Sequence, residues 1–281
     1  MFSHTVSSRR PSRALNAAIF LAVLLLAGVL VRRFYFATPT EYDYKIAPHA
    51  KLSIPGVDWM AAGRTVLIVM RKDCKYCAES AAFYRRLVSS LTKEGNAKVI
   101  ALFPEQESGA EAYVSELGIP ISDVRYVSLD SLGIRNIPTL AIIDSNGVVT
   151  DFWVGKLPPR IESVVMKALN VHDSRPLTDW LIDERTFPTR AANHEPMVLL
   201  DVRDRAFFAL KHKDGARNIP LDELRVRAAN ELNAADSVVL YGDDSETDMA
   251  YIILDIQGFS KLAIMAPDLT QRSNELPKQT P

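Results

Sequence analysis

Residues 65–70, Thr-Val-Leu-Ile-Val-Met, form an unbroken apolar run, and shortly after it two thiols lie three positions apart in Cys74-Lys75-Tyr76-Cys77. A short apolar run without alternation reads as a strand buried on both faces. Beyond it, apolar residues recur at Cys77, Ala81, Tyr84, Val88 and Leu91, a spacing that predicts a helix over 78–93. Thiols at i and i+3, where a strand hands over to a helix, can close a small disulfide ring and open it again. The unpaired N–H groups of a first helical turn and the helix dipole favour the anion of the first thiol. The thiolate is the species that attacks disulfides. Arg71, Lys72 and Lys75 push the same way, weakly, because exposed charges are screened. An inert bridge, half of a zinc site and two unrelated thiols are the competing readings. Zinc usually takes four ligands, and these are the only two cysteines in 281 residues. A bridge closing four residues restricts the unfolded chain little. The strand–CxxC–helix context therefore favours a redox role.

Length suggests about two domains at ~150 residues each. A formal net charge of −1 exerts no general pull on nucleic acid or acidic lipid. Residues 14–31 depart from this average, being apolar except for Asn16. At ~1.5 Å per residue they cover ~27 Å, close to the ~30 Å hydrocarbon core of a bilayer. Arg9, Arg10 and Arg13 precede the run and Arg32 and Arg33 follow it, a small bias that keeps the N-terminus in the cytoplasm. A cleaved signal peptide is the rival reading. The run is long for one, however, and two arginines stand where a small-residue cleavage site belongs. Either reading exports the remainder, and an exported bacterial chain lives where disulfides form and persist.

Residues 38–64 carry prolines at 39, 48 and 55 and read as a spacer and the approach to the first domain. Residues 97–103 predict a second strand, 105–117 a polar helix and 124–127 a short strand. Gly133-Ile134-Arg135-Asn136-Ile137-Pro138-Thr139 leads into a strand at 140–144, Ser145-Asn146-Gly147 signals a hairpin, and 148–155 is the return strand. Pro158-Pro159 starts a final helix running to residue 169. This order resembles the thioredoxin superfamily, and especially its exported, membrane-tethered TlpA-like branch, across about residues 46–170. The resemblance implies that Pro138 is cis and faces the CxxC, and that Ile137, Pro138 and Thr139 hold a substrate strand against it. Cys74 would then be the attacking thiol and Cys77 the resolving one. Two departures stand out: Asp73 takes the place of the family's tryptophan and Ile68 that of its buried aspartate. The proton acceptor for Cys77 is thereby left unassigned, and Glu79 reads as an exposed first-turn glutamate.

Residues 173–176 read as a linker, after which a second αβ pattern begins. Strands are predicted at 198–203, 238–241 and 261–264, and helices at 206–211, 221–232 and 246–257. The wording Asp201-Val202-Arg203, then His212-Lys213-Asp214-Gly215-Ala216-Arg217-Asn218-Ile219-Pro220-Leu221, resembles the rhodanese family. In that family a cysteine after the next strand carries a persulfide, and here its place falls on Gly242. The following arc holds Asp243, Asp244, Glu246 and Asp248, carboxylates that repel an anionic sulfur donor. The resemblance therefore implies a rhodanese fold without sulfur transfer, its rim open to a basic partner segment or docked on the first domain.

His172, His194 and His212 raise the question of a metal. Copper-handling thioredoxin-fold proteins use two cysteines and a histidine but space the cysteines by three residues, so no metal or cofactor is expected, and His212 reads as structural. The whole reads as an α/β chain in six parts. Residues 1–37 are cytoplasmic terminus and transmembrane helix, 38–45 spacer, 46–170 a thioredoxin-like domain, 171–176 linker, 177–266 an inactive rhodanese-like domain and 267–281 a tail. The expected activity is thiol–disulfide exchange with protein thiols or disulfides, from the inner membrane facing the periplasm, without nucleic acid. A non-catalytic exported scaffold and, less favoured, a copper-handling assembly factor are the alternatives.

Overall fold

The computed structural model describes residues 49–95, 97–188 and 197–266. The apolar segment at 14–31, the spacer at 38–45, His194 and the tail from 267 lie outside the described residues. Among the described residues no helix is long and apolar enough to cross a membrane.

The apolar run becomes β1, Thr65–Val69, buried at every position. Its side chains alternate between two cores, as the period of two demands. Val66 and Ile68, with Met70, pack on one face, and Leu67 and Val69 on the other. The neighbouring strands are β2 (Lys98–Pro104), β3 (Val124–Val127), β4 (Thr139–Ile143) and β5 (Val149–Val154), in the sheet order β3-β2-β1-β4-β5. β1, β2 and β3 run parallel, while β4 is antiparallel to both β1 and β5. Helices α1 (Trp59–Ala62), α2 (Lys75–Glu79), α3 (Ala81–Glu94), α4 (Ala110–Glu116) and α5 (Pro159–Ala168) accompany this sheet. The β4–β5 hairpin turns at Gly147, where φ is +80° and a Cβ would stand 2.7 Å from the Trp59 ring. The turn needs glycine both for its backbone and for the indole packed on it.

The second sheet is entirely parallel, in the order β6-β10-β9-β7-β8. Its strands are β6 (Leu181–Asp183), β7 (Met197–Asp201), β8 (Arg217–Asn218), β9 (Ser237–Tyr241) and β10 (Leu262–Ala266). Helices α6 (Arg205–Leu210), α7 (Leu221–Glu231) and α8 (Asp244–Ile256) belong to this half. The α/β class and the order of the larger elements agree with the sequence reading.

Three details differ from it. The helix expected over 78–93 is two helices, broken at Ser80, whose N–H and Oγ both bond to the Tyr76 carbonyl at 3.0 and 2.8 Å. The helix expected from 105 begins at Ala110. The intervening loop is instead tied to the CxxC turn, with Lys72 N–H on Glu107 and Lys72 Nζ on the Ser108 carbonyl. The linker at 173–176 is pinned by ion pairs described below.

Candidate active site

Sheet register brings the candidate residues together. Val69, the last residue of β1, pairs with Thr139, the first of β4. The segment before β4 therefore lies where β1 ends and the CxxC turn begins. The Cys74 Sγ is 3.8 Å from the Ile137 carbonyl oxygen. The Ile137–Pro138 peptide is cis, as the resemblance implied. The Pro138 carbonyl accepts from Gly155 N–H at 2.8 Å, and buried Thr139 donates its hydroxyl to the Asn136 carbonyl at 2.6 Å. Both ends of this short segment are thus fixed to the scaffold beside the sulfur.

Cys74 caps α2, and the Cys77 N–H points at its sulfur at 3.2 Å. Both cysteines are thiols, Cys74 partly exposed and Cys77 fully buried. Burial pushes the Cys77 thiol well above its ordinary value, helped by its hydrogen bond with Cys74 and opposed by the Arg71 backbone. An accessible sulfur at a helix start beside a buried one makes the two thiols chemically unequal. The nearby cations are engaged elsewhere: Arg71 with Asp73 at 2.8 Å and Lys75 with Glu79 at 3.6 Å.

Glu79 is not the exposed residue expected from sequence. Its side chain is 23% exposed and also meets Lys156 at 3.3 Å. Lys156, following β5, reaches Asp255 on α8 at 2.5 Å. Sequence reasoning missed this pairing, and offered docking on the first domain only as one of two alternatives for the acidic arc, without the residues that make it. Asp244, Asp248, Tyr251 and Asp255 recur every three to four residues and so share one face of α8. Arg160 takes Asp248 with both Nε, at 3.2 Å, and an Nη, at 2.6 Å, and also pairs with Asp244. The Tyr251 hydroxyl is pushed up to about 12, by burial first and then by Asp255, with Glu162 adding to the rise. Glu162 itself bridges Arg86 at 2.6 Å and Arg175 at 2.8 Å, and Asp173 joins Arg86 at 3.2 Å. The periodicity of the carboxylates was the available signal; their partners, far away in sequence, were not.

The arc that follows β9 is likewise filled from within. The Asp243 N–H donates to Glu246 Oε2 at 3.2 Å, so a carboxylate of the chain itself occupies this backbone donor. A Cβ placed on Gly242 would stand 3.1 Å from Val202 Cγ2 and 3.2 Å from Glu246 Oε2. The signature residues have structural uses. Buried Asp201 takes the Arg203 fork at 3.0 and 2.6 Å, and His212 stacks on Phe208 with its Nδ1 2.8 Å from the Phe208 carbonyl. Gly242→Cys should accordingly yield no thiocyanate above the blank in a thiosulfate:cyanide assay. A thiol there would be crowded and would face Glu246. Measurable sulfur transfer by this variant, with Cys74 and Cys77 both replaced by alanine, would show that the loop still accepts anions.

Among the described residues no group of three or more His, Cys, Asp or Glu side chains is placed to hold a metal ion. No family model matches the chain, and no curated protein matches it. Among solved structures it is similar to a thiol:disulfide interchange protein from Bacteroides sp., at 12% identity over 45% of this chain and 92% of that one, with a TM-score of 0.36. It is also similar to a thiol:disulfide interchange protein described as DsbE from Chlorobium tepidum, at 20% identity over 39% and 82%, with a TM-score of 0.33. A third likeness is to a rhodanese-like domain from an Anabaena sp. protein, at 27% identity over 36% and 83%, with a TM-score of 0.29.

Proposed function

We propose that the chain is a thiol–disulfide oxidoreductase, anchored in the inner membrane by residues 14–31 with the CxxC facing the periplasm. Its first domain is 46–170, and its second, 177–266, orients the first without sulfur chemistry of its own. The observation that carries this reading is the partly exposed Cys74 sulfur, capped by the Cys77 N–H, above the buried Cys77 thiol and beside Ile137. In the reducing direction the Cys74 thiolate attacks one sulfur of a substrate disulfide, and the other leaves as a thiolate. Cys77, on losing its proton, attacks Cys74 Sγ. The Cys74–substrate bond breaks, the second substrate sulfur leaves with the electron pair, and the proton passes through solvent to the departing thiolates. A Cys74–Cys77 disulfide forms and the substrate is reduced by two electrons. The reverse sequence oxidises a substrate dithiol, and the reduction potential of the pair decides between them. Ile137, Pro138 and Thr139 form the wall against which the substrate strand lies.

The placement is tested in intact spheroplasts, where a membrane-impermeant thiol reagent is expected to label reduced Cys74 before lysis. Labelling only after lysis would invert the topology. Exchange is tested on the full chain in detergent, where Cys74→Ala is expected to abolish reaction with a small disulfide. Unchanged exchange in that variant would favour a scaffold.

A further inference from the structure

The two residues that follow β5 reach both walls of the site. Gly155 gives its N–H to the Pro138 carbonyl at 2.8 Å. Lys156 Nζ lies 3.3 Å from Glu79 Oε2 and 2.5 Å from Asp255 Oδ2. Glu79 is the last residue of α2, the five-residue helix that Cys74 caps and that carries Cys77. Asp255 belongs to α8, in the second half of the chain. One ammonium thus joins the CxxC helix to the second half, and the residue before it is bonded to the cis-proline segment.

The Lys156 side chain is 12% exposed, and a cation so poorly solvated needs carboxylates to compensate it. Glu79 is shared with Lys75, 3.6 Å away, so Asp255 supplies the second carboxylate that balances the two ammoniums. Arg160 holds Asp244 and Asp248 on the same face of α8, and Asp255 is therefore presented to Lys156 by a helix fixed at a second point. A helix as short as α2 has little stability of its own. Its seat depends on buried Cys77 and on what holds Glu79. Five residues separate Glu79 from Cys74, ~7.5 Å along a helix at ~1.5 Å per residue, so a charge gained or lost there is felt at the sulfur. A net cation favours the thiolate and a net anion the thiol.

We propose that Lys156 is a positioning residue for the CxxC helix whose hold and charge are governed by Asp255, so that docking of the second half sets the reactivity of Cys74. This rests on the redox reading of the CxxC pair. With the halves docked, Asp255 shares the ammonium and restrains Cys74. With them parted, the ammonium bears on α2 alone and the Cys74 thiolate is favoured. The second half thereby takes part in the chemistry without a sulfur of its own.

The test is the rate at which iodoacetamide, a neutral reagent, alkylates reduced Cys74 in the full chain in detergent near neutral pH, with the adduct located by peptide mapping. Asp255→Asn is expected to speed alkylation about threefold and Lys156→Met to slow it about threefold, while Lys156→Arg, which keeps the charge, should stay within about twofold of the wild type. Both of the first two variants break the same ion pair, so a joint that is merely structural would move them in the same direction. Movement in the same direction, or none in either, overturns the proposal. Should Lys156→Met fail to fold, Asp255→Asn carries the test by itself, at a side chain that is 36% exposed; an unchanged or slower rate there is equally decisive against it. Exchange of each protein with a small disulfide is measured alongside. A wild type that does not exchange sinks the redox reading and this inference with it; a wild type that exchanges, beside unmoved alkylation rates, sinks this inference alone.

Discussion

Cys77→Ala is expected to turn the chain into a trap, accumulating mixed disulfides through Cys74 while catalytic turnover falls more than about 10²-fold. An internal thiol acts at an effective concentration far above that of any small thiol in solution, so deleting it leaves the first covalent step intact and starves the second. The burial of Cys77 makes the distinction sharp, since a substrate cannot reach that sulfur directly. Non-reducing electrophoresis followed by peptide mapping should find every adduct on Cys74. Adducts that fail to accumulate while the wild type turns over would mean that the two sulfurs have been given the wrong roles.

The largest expected loss of stability comes from Glu162→Ala, about 3 kcal/mol. The Glu162 side chain is 12% exposed and sits between Arg86 and Arg175, themselves 20% and 17% exposed. Burial pushes its carboxyl pKa up, and Arg175 and Arg86 pull it back down. Desolvation and attraction thus nearly offset each other while the cluster is complete. Removing the carboxylate leaves two guanidiniums facing one another in poorly solvated surroundings. Asp173, with one carboxyl oxygen already 3.2 Å from Arg86 Nε, cannot neutralise both. Because Arg175 also lies over the Trp180 ring, 5.7 Å from its centroid, the loss should spread into the second half. Urea unfolding at neutral pH checks this; a loss below about 1 kcal/mol would place the cluster with ordinary surface pairs.

The half of the fold that concerns chemistry was readable because its signals are local. An apolar run at 65–70, thiols at i and i+3, and Ile137-Pro138-Thr139 before another apolar run each fix their own element, and the antiparallel register of β1 with β4 then brings them together. Legibility failed where a residue's neighbour is distant in sequence. Ser80 interrupts a helix that periodicity alone extends, since its hydroxyl competes for a backbone carbonyl. The arc at 243–248 read as a rim either open to a basic partner segment or docked on the first domain, and which residue would meet it was not legible; Arg160, far away in sequence, pairs with Asp244 and Asp248. Glu79 looked like a solvated helix-start residue because nothing near it in sequence announces Lys156.

The measurement that bears most directly on the central claim is equilibration of the full chain in buffers of graded thiol–disulfide poise, with trapping and mapping of both cysteines. Thiol–disulfide exchange by this pair predicts a single two-electron transition in which Cys74 and Cys77 oxidise together into one intramolecular bond. Its midpoint should lie within the range of known exchange proteins, between about −270 mV for a reductant and about −120 mV for an oxidant. Thiols that stay reduced at the most oxidising poise, or that cap separately with small-molecule adducts and never join, would contradict it.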